Sequence, residues 1–211
     1  MLNFGTATDG LGLGTITLSG TNDANSLTFG SASGAITLQG TVVGDQINIG
    51  GTTPTVTVNN TTNTIKQLSG TNGFTKAGSG TLILTPMGTS GSGYDIGPIG
   101  TVIVNAGTLK YLVPAGMPAN ADYAVTAAYQ INNGSTLQFD GVSGSNFQML
   151  FNDINASTFT FDSNGGGTVD MSNLNAIVNN AAGNFKQFDQ LWIAVAGYTG
   201  DVKYQIGRAH V

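Results

Sequence analysis

Carboxylates are the main groups this chain offers to chemistry: it has eleven aspartates and no glutamate. Cysteine is absent, and the single arginine and histidine, Arg208 and His210, stand together at the extreme C-terminus. The last six residues, Ile206-Gly-Arg-Ala-His-Val211, resemble a translated sequencing adapter and are left out of the functional reading. Without them, Ser-His-Asp and Cys-His nucleophiles, zinc sites and arginine clamps all lack a necessary member. Asp-only chemistry remains, because two carboxylates suffice for glycoside hydrolysis. Its candidates are Asp140, Asp153, Asp162 and Asp170. Lyase chemistry on polysaccharides would want an Arg or Lys base beside calcium-holding aspartates, and no arginine is left to serve.

Calcium is the other role open to aspartate. The stretch Asn164-Gly-Gly-Gly-Thr-Val-Asp170 approaches the Gly-Gly-x-Gly-x-Asp nonapeptide of calcium-binding β-rolls, but Thr168 replaces a glycine and no second copy follows. It reads better as a glycine-rich turn before a strand. Asn59-Asn-Thr61, Asn133-Gly-Ser135 and Asn155-Ala-Ser157 fit the N-glycosylation sequon, as chance allows in a chain this rich in Asn, Ser and Thr. Trp192 with Phe185, Phe188 and Tyr198 forms the one aromatic cluster, read as packing on a flank or end of the fold. The expectation is therefore a non-enzymatic protein with no catalytic, cofactor-binding or metal-binding residues.

Composition points the same way. Charged residues are 8 % of the chain, glycines number 32, threonines 28 and asparagines 21, yet 40 % of residues are hydrophobic. A disordered chain carries more charge and less apolar surface. This one folds, with short side chains, many turns and an uncharged polar exterior. The net charge is −5, and Lys66, Lys76, Lys110, Lys186 and Lys203 are scattered singly. Nucleic acid, which demands clustered cations, is not an expected partner. No apolar run is long enough to cross a bilayer as a helix.

The elements that would position these groups are short strands. Ile16-Thr17-Leu18, Leu27-Thr28-Phe29, Ile36-Thr37-Leu38, Ile47-Asn48-Ile49 and Val56-Thr57-Val58 each place a polar residue between two apolar ones. That alternation marks a half-buried strand. Further strands are Leu82-Ile83-Leu84, Val102-Ile103-Val104, Leu109-Lys110-Tyr111, Leu137-Gln138-Phe139, Phe159-Thr160-Phe161 and Val169-Asp170-Met171. Thr85 to Pro98 and Val113 to Pro118 carry paired prolines and read as loops. Met149 to Ile154 and Leu174 to Ala182 have room for a helical turn. Strands this short suit a parallel β-helix of about 20 to 25 residues per coil, each coil stabilised by its neighbours. The alternative is a β-sandwich, whose strands are usually longer and whose core is more aromatic.

One segment adds a likeness. Phe74-Thr-Lys-Ala-Gly-Ser-Gly-Thr-Leu-Ile-Leu-Thr85 and Gly100-Thr-Val-Ile-Val-Asn-Ala-Gly-Thr-Leu109 resemble, in order and separation, the opening and closing halves of the autotransporter-associated β-strand repeat. Gly14-Thr-Ile-Thr-Leu-Ser-Gly20 and Asn133-Gly-Ser-Thr-Leu137 are weaker echoes. Departures are Phe74 at a leucine position and Pro86 to Gly93 in place of the usual turn. The resemblance implies a right-handed β-helix and a bacterial secreted or cell-surface location, associated with the outer membrane. It implies a structural or adhesive stalk, residues 1–205 as one solenoid fragment with the repeat at 74–109, and the parent chain continuing at both ends. Host or surface glycans or proteins would be met by the loops at Thr85 to Pro98 and Val113 to Asp122. The alternative function is a polysaccharide-degrading β-helix enzyme using the aspartates above.

Overall fold

The structure, a computed structural model, describes residues 1–5, 13–42, 44–85, 100–113, 127–141, 160–162, 167–171 and 201–204. Strands account for most of them, and no helix occurs among the described residues. The first sheet has seven strands in the order β1 (Leu2–Phe4), β4 (Ser26–Phe29), β7 (Thr55–Val58), β10 (Phe74–Ala77), β12 (Gly100–Val104), β14 (Ala127–Ile131) and β16 (Thr160–Asp162). The second has eight, running β2 (Gly14–Thr17), β5 (Ile36–Gln39), β8 (Thr62–Lys66), β11 (Thr81–Thr85), β13 (Thr108–Val113), β15 (Thr136–Gly141), β17 (Thr168–Met171) and β18 (Asp201–Tyr204). A third, short sheet joins β3 (Thr21–Ala24), β6 (Gln46–Ile49) and β9 (Leu68–Ser69).

Every strand pairing found among the described residues is parallel. A sandwich would pair its strands antiparallel. Parallel strands in stacked sheets are instead consistent with a β-solenoid. Coil length varies more than the expected range: Thr81 pairs with Thr62, 19 residues earlier, whereas Asp201 pairs with Thr168, 33 residues earlier. Three residues link β7 to β8, β10 to β11 and β12 to β13, while segments 86–99, 114–126 and 142–159 link second-sheet strands to first-sheet strands.

Where both apolar members of a triplet are described they are buried, with one exception: Ile16, on the edge strand β2, is 36 % exposed. Leu27 and Phe29, Ile36 and Leu38, Ile47 and Ile49, Val56 and Val58, Leu82 and Leu84, Val102 and Val104, and Leu137 and Phe139 are all buried. The residues between them face outward. Burying a side chain of this size is worth about 1.5 to 3 kcal/mol, and each coil has few such residues, so its stability depends on the coils above and below. In-register stacking also brings rings together. Phe29 stacks on Phe4 at 5.2 Å, and Tyr111 stacks on Phe139 at 5.7 Å. The Tyr129 hydroxyl reaches the Tyr111 hydroxyl across the interior at 3.0 Å.

Polar groups also enter the interior, where the alternation rule would place apolar ones. Asn63 of β8 is buried, and its Oδ1 accepts from the Ile36 amide at 3.0 Å and from Asn60 Nδ2 at 3.1 Å. Its amide donates back to Asn60 Oδ1, and Asn60 Nδ2 reaches the carbonyl of Gly34 at 2.8 Å and Ser33 Oγ at 2.9 Å. Lys76 of β10 points inward between Val56 and Val104 and is fully buried. Its ammonium donates to the carbonyls of Ala77 (3.0 Å), Gly78 (2.8 Å) and Ala106 (2.8 Å), one for each N–H. At the start of the short sheet, Gln67 adopts φ 68° between β8 and β9, turning the chain sharply. Its amide donates to the Thr85 carbonyl at 3.0 Å and its carbonyl accepts from Ile47 at 3.2 Å.

Asp45 holds a turn of the same region. Its carboxylate accepts from the amides of Gly20 (2.6 Å), Thr41 (2.8 Å) and Val42 (3.0 Å) and from the Thr41 hydroxyl (3.1 Å). The Gly20 amide foremost, then those of Thr41 and Val42, holds its pKa down to about 2 from 3.8. A carboxylate with a depressed folded pKa stabilises above the unfolded value and loses that contribution as pH falls through the folded one. Asp45→Asn is therefore expected to lower the melting temperature at neutral pH. It should also flatten the fall in stability between pH 3.8 and about 2, read by thermal denaturation across that range.

Candidate functional site

Of the four aspartates singled out for hydrolysis, the three in described strands fall on two different sheets. Asp140, on β15, and Asp170, on β17, share the outer face of the second sheet, opposite the buried Leu137, Phe139 and Val169. Asp140 forms an ion pair with Lys110 of β13, and Asp170 accepts from Gln138 Nε2 at 3.2 Å. Asp162 ends β16 in the first sheet, in register with Gln130. Asp153 lies outside the described residues. Of the glycine-rich stretch before β17, residues 164–166 also lie outside them, and its Asp170 is the Gln138 acceptor just described. No group of three or more His, Cys, Asp or Glu side chains gathers among the described residues. This Lys–Asp pair is partly buried, its side chains 20 % and 13 % exposed, and contributes on the order of 1 kcal/mol. The arrangement resembles a ladder on a sheet face more than two carboxylates facing a common substrate.

A concave feature of the described surface lies elsewhere, along the corners that carry the chain from the first sheet to the second. Ser31, Ser33, Asn59, Asn60, Thr61, Ser79 and Gly80 line a depression of about 540 Å³ spanning three successive corners. Stacking puts them together: the Gly80 amide donates to the Val58 carbonyl at 2.9 Å and the Thr81 amide to the Thr61 carbonyl at 2.8 Å. Asn60 and Ser33 form the buried floor, tied to each other as described above, and Ser31, Asn59, Thr61 and Ser79 are exposed. None of the lining groups titrates near neutrality. The depression can hydrogen-bond an uncharged polar ligand, and it holds no nucleophile–base pair. Sequence patterning missed it because its residues are consecutive turn residues in three different coils, and turns carry no alternation.

The two halves of the repeat-like segment meet here as well. Thr81 and Leu82 pair with Thr108 and Leu109, which pair with Thr136 and Leu137, which pair with Thr168 and Val169. Preceding each is a small residue (Gly80, Gly107, Ser135, Gly167) that lies against the coil below: a Cβ on Gly107 would sit 2.4 Å from the Gly80 carbonyl oxygen. Gly78 takes φ 77°, as a tight turn requires, and Gly80 is needed for close approach, its Cβ position being 2.0 Å from the Asn60 carbonyl.

Of the remaining expectations, the loops Thr85 to Pro98 and Val113 to Asp122 fall mostly outside the described residues. So do the possible helical turns at Met149 to Ile154 and Leu174 to Ala182, the Trp192 cluster and the tail 206–211. Comparison of the chain with protein-family models, with curated proteins and with solved structures gives no match.

Proposed function

We propose that the chain is a right-handed parallel β-helix serving as a non-enzymatic stalk, structural and adhesive, of a bacterial secreted or surface-exposed protein of the autotransporter passenger type. The observation that carries this reading is the in-register stacking of Gly80-Thr-Leu82, Gly107-Thr-Leu109, Ser135-Thr-Leu137 and Gly167-Thr-Val169 on successive strands of one sheet. The opening and closing halves of the suspected repeat are thereby neighbouring rungs of one ladder. A right-handed path follows the general preference of parallel crossovers. Stability that adds rung by rung suits a stiff rod, and an exterior of Thr, Ser, Asn and Gln suits exposure to solvent.

Adhesion is assigned to the long segments that link the second sheet to the first. Segments 86–99, 114–126 and 142–159 all leave the second sheet and re-enter the first, as long excursions between short strands. Partners would be glycans or proteins of a host or neighbouring surface.

The test is made on cells carrying the native gene. Protease added to intact cells should release or digest the chain, and the purified full chain should resist protease except in those segments. Protection inside intact cells would overturn the location. Release of reducing ends from a plant or bacterial polysaccharide by the purified chain, abolished by Asp140→Asn or Asp162→Asn, would replace the stalk with an enzyme.

A further inference from the structure

The corner between β14 and β15 carries an Asn-Gly dipeptide, Asn133-Gly134, that is open to solvent between two anchored flanks. The Ser135 amide donates to the Asn132 carbonyl at 3.0 Å, closing a four-residue turn. Both flanks are anchored: Asn132 Nδ2 donates to Asn105 Oδ1 at 2.8 Å, and the buried Ser135 hydroxyl has two carbonyls within reach of its one proton, Val104 at 2.7 Å and Asn132 at 2.6 Å. Between these anchors Asn133 and Gly134 are exposed, and neither makes a hydrogen bond with any described residue. Gly134 has φ +74°, with no atom within 4 Å of where its Cβ would lie. The sequon reading of this site loses support, because the Ser135 hydroxyl is buried and engaged. What remains open is the Asn133 carboxamide and the amide nitrogen that follows it.

The chain has two further Asn-Gly dipeptides: Asn164-Gly165 lies outside the described residues, and Asn72-Gly73 has the same chemistry in a different environment. Asn72 Nδ2 donates to the Gly51 carbonyl at 3.0 Å. Gly73 is buried beneath the next coil, and its amide nitrogen would lie 2.8 Å from a Cβ placed on Gly100.

We propose that Asn133 is a site of spontaneous intramolecular deamidation in the folded protein, and that Asn72 is protected from it. The Gly134 amide nitrogen, unhindered by a side chain, attacks Cγ of Asn133. The bond from Cγ to the side-chain nitrogen breaks, and ammonia leaves with the proton from Gly134. A five-membered succinimide results. Water then opens the ring at one of its two carbonyls, giving aspartate or isoaspartate. One water is consumed and one ammonia released, with no change of oxidation state. The product adds a negative charge to a chain of net charge −5 and, as isoaspartate, one backbone carbon to a corner of the stack. A protein kept outside the cell and not renewed would accumulate this change with age.

The experiment incubates the full chain at mildly alkaline pH, with and without urea, and follows each Asn-Gly peptide by mass spectrometry. Isoaspartate is detected separately by methyl transfer from S-adenosylmethionine with an isoaspartate-specific methyltransferase. Without urea, Asn133 should convert at least about tenfold faster than Asn72, which must first be exposed by local opening. In urea the two rates should converge. Asn133→Ser, which leaves the turn backbone and Gly134 in place, should abolish methyl acceptance in that peptide. Equal rates at Asn72 and Asn133 in the native chain, or conversion of Asn133 in urea alone, would overturn the proposal.

Discussion

Gly107→Ala is expected to destabilise the chain by about 4 kcal/mol, at the upper end of single-residue effects. Two costs combine at this corner. Gly107 has φ +65°, where an L side chain is strained by about 1 to 3 kcal/mol. Its added Cβ would also lie 2.4 Å from the Gly80 carbonyl oxygen and 2.7 Å from that of Gly78. Those atoms belong to the backbone of the coil below and cannot move without separating β11 from β13. Gly134→Ala is the matched control. Its φ is +74°, yet its Cβ would meet nothing within 4 Å. It should cost about 1 to 2 kcal/mol, the left-handed penalty alone. Urea denaturation of both variants reads the difference, and equal losses would mean that the corners do not stack as closely as described.

Lys76→Met should cost about 2 to 3 kcal/mol despite placing an apolar side chain in an apolar interior. The methionine fills most of the space of the lysine stem. It leaves the carbonyls of Ala77, Gly78 and Ala106 without the donors that reach them at 2.8 to 3.0 Å, and a buried unsatisfied polar group costs about 1 to 3 kcal/mol. Lys110→Met, on the outer face of the second sheet, removes a partly buried ion pair with Asp140 and should cost about 1 kcal/mol.

The same lysine gives a pH signature. Burial pushes its amine down to about 8 from 10.5. Between those values the unfolded chain holds a proton that the folded chain has released, so stability contributed by this group rises with pH across that interval and is level below it. Denaturation midpoints measured from pH 8 to 10.5 should show the rise in the unaltered chain and not in Lys76→Met.

Local alternation was enough to identify the elements in which pattern and burial agree. Val56-Thr57-Val58 or Leu82-Ile83-Leu84 needs no partner to identify its inward pair, because apolar residues two apart on a strand share a face. Tertiary structure decided what lies inward when the inward residue is polar. Strand β8 has Asn63 and strand β10 has Lys76 where the pattern would want leucine, and each is tolerated because a neighbouring coil supplies its hydrogen-bond partners: Ile36 in one case, Ala106 in the other. Those partners are 27 and 30 residues away in sequence, at a separation set by insertions that alternation does not register.

The same division applies to the candidate sites. Asp140, Asp162 and Asp170 look alike as sequence, but sheet register sends Asp162 to one sheet and ties Asp140 and Asp170 to neighbours on another. Asn72-Gly73 and Asn133-Gly134 are the same dipeptide. The chemistry of each was present in the sequence, and which of them is open to react was decided by whether the next coil covers its glycine amide.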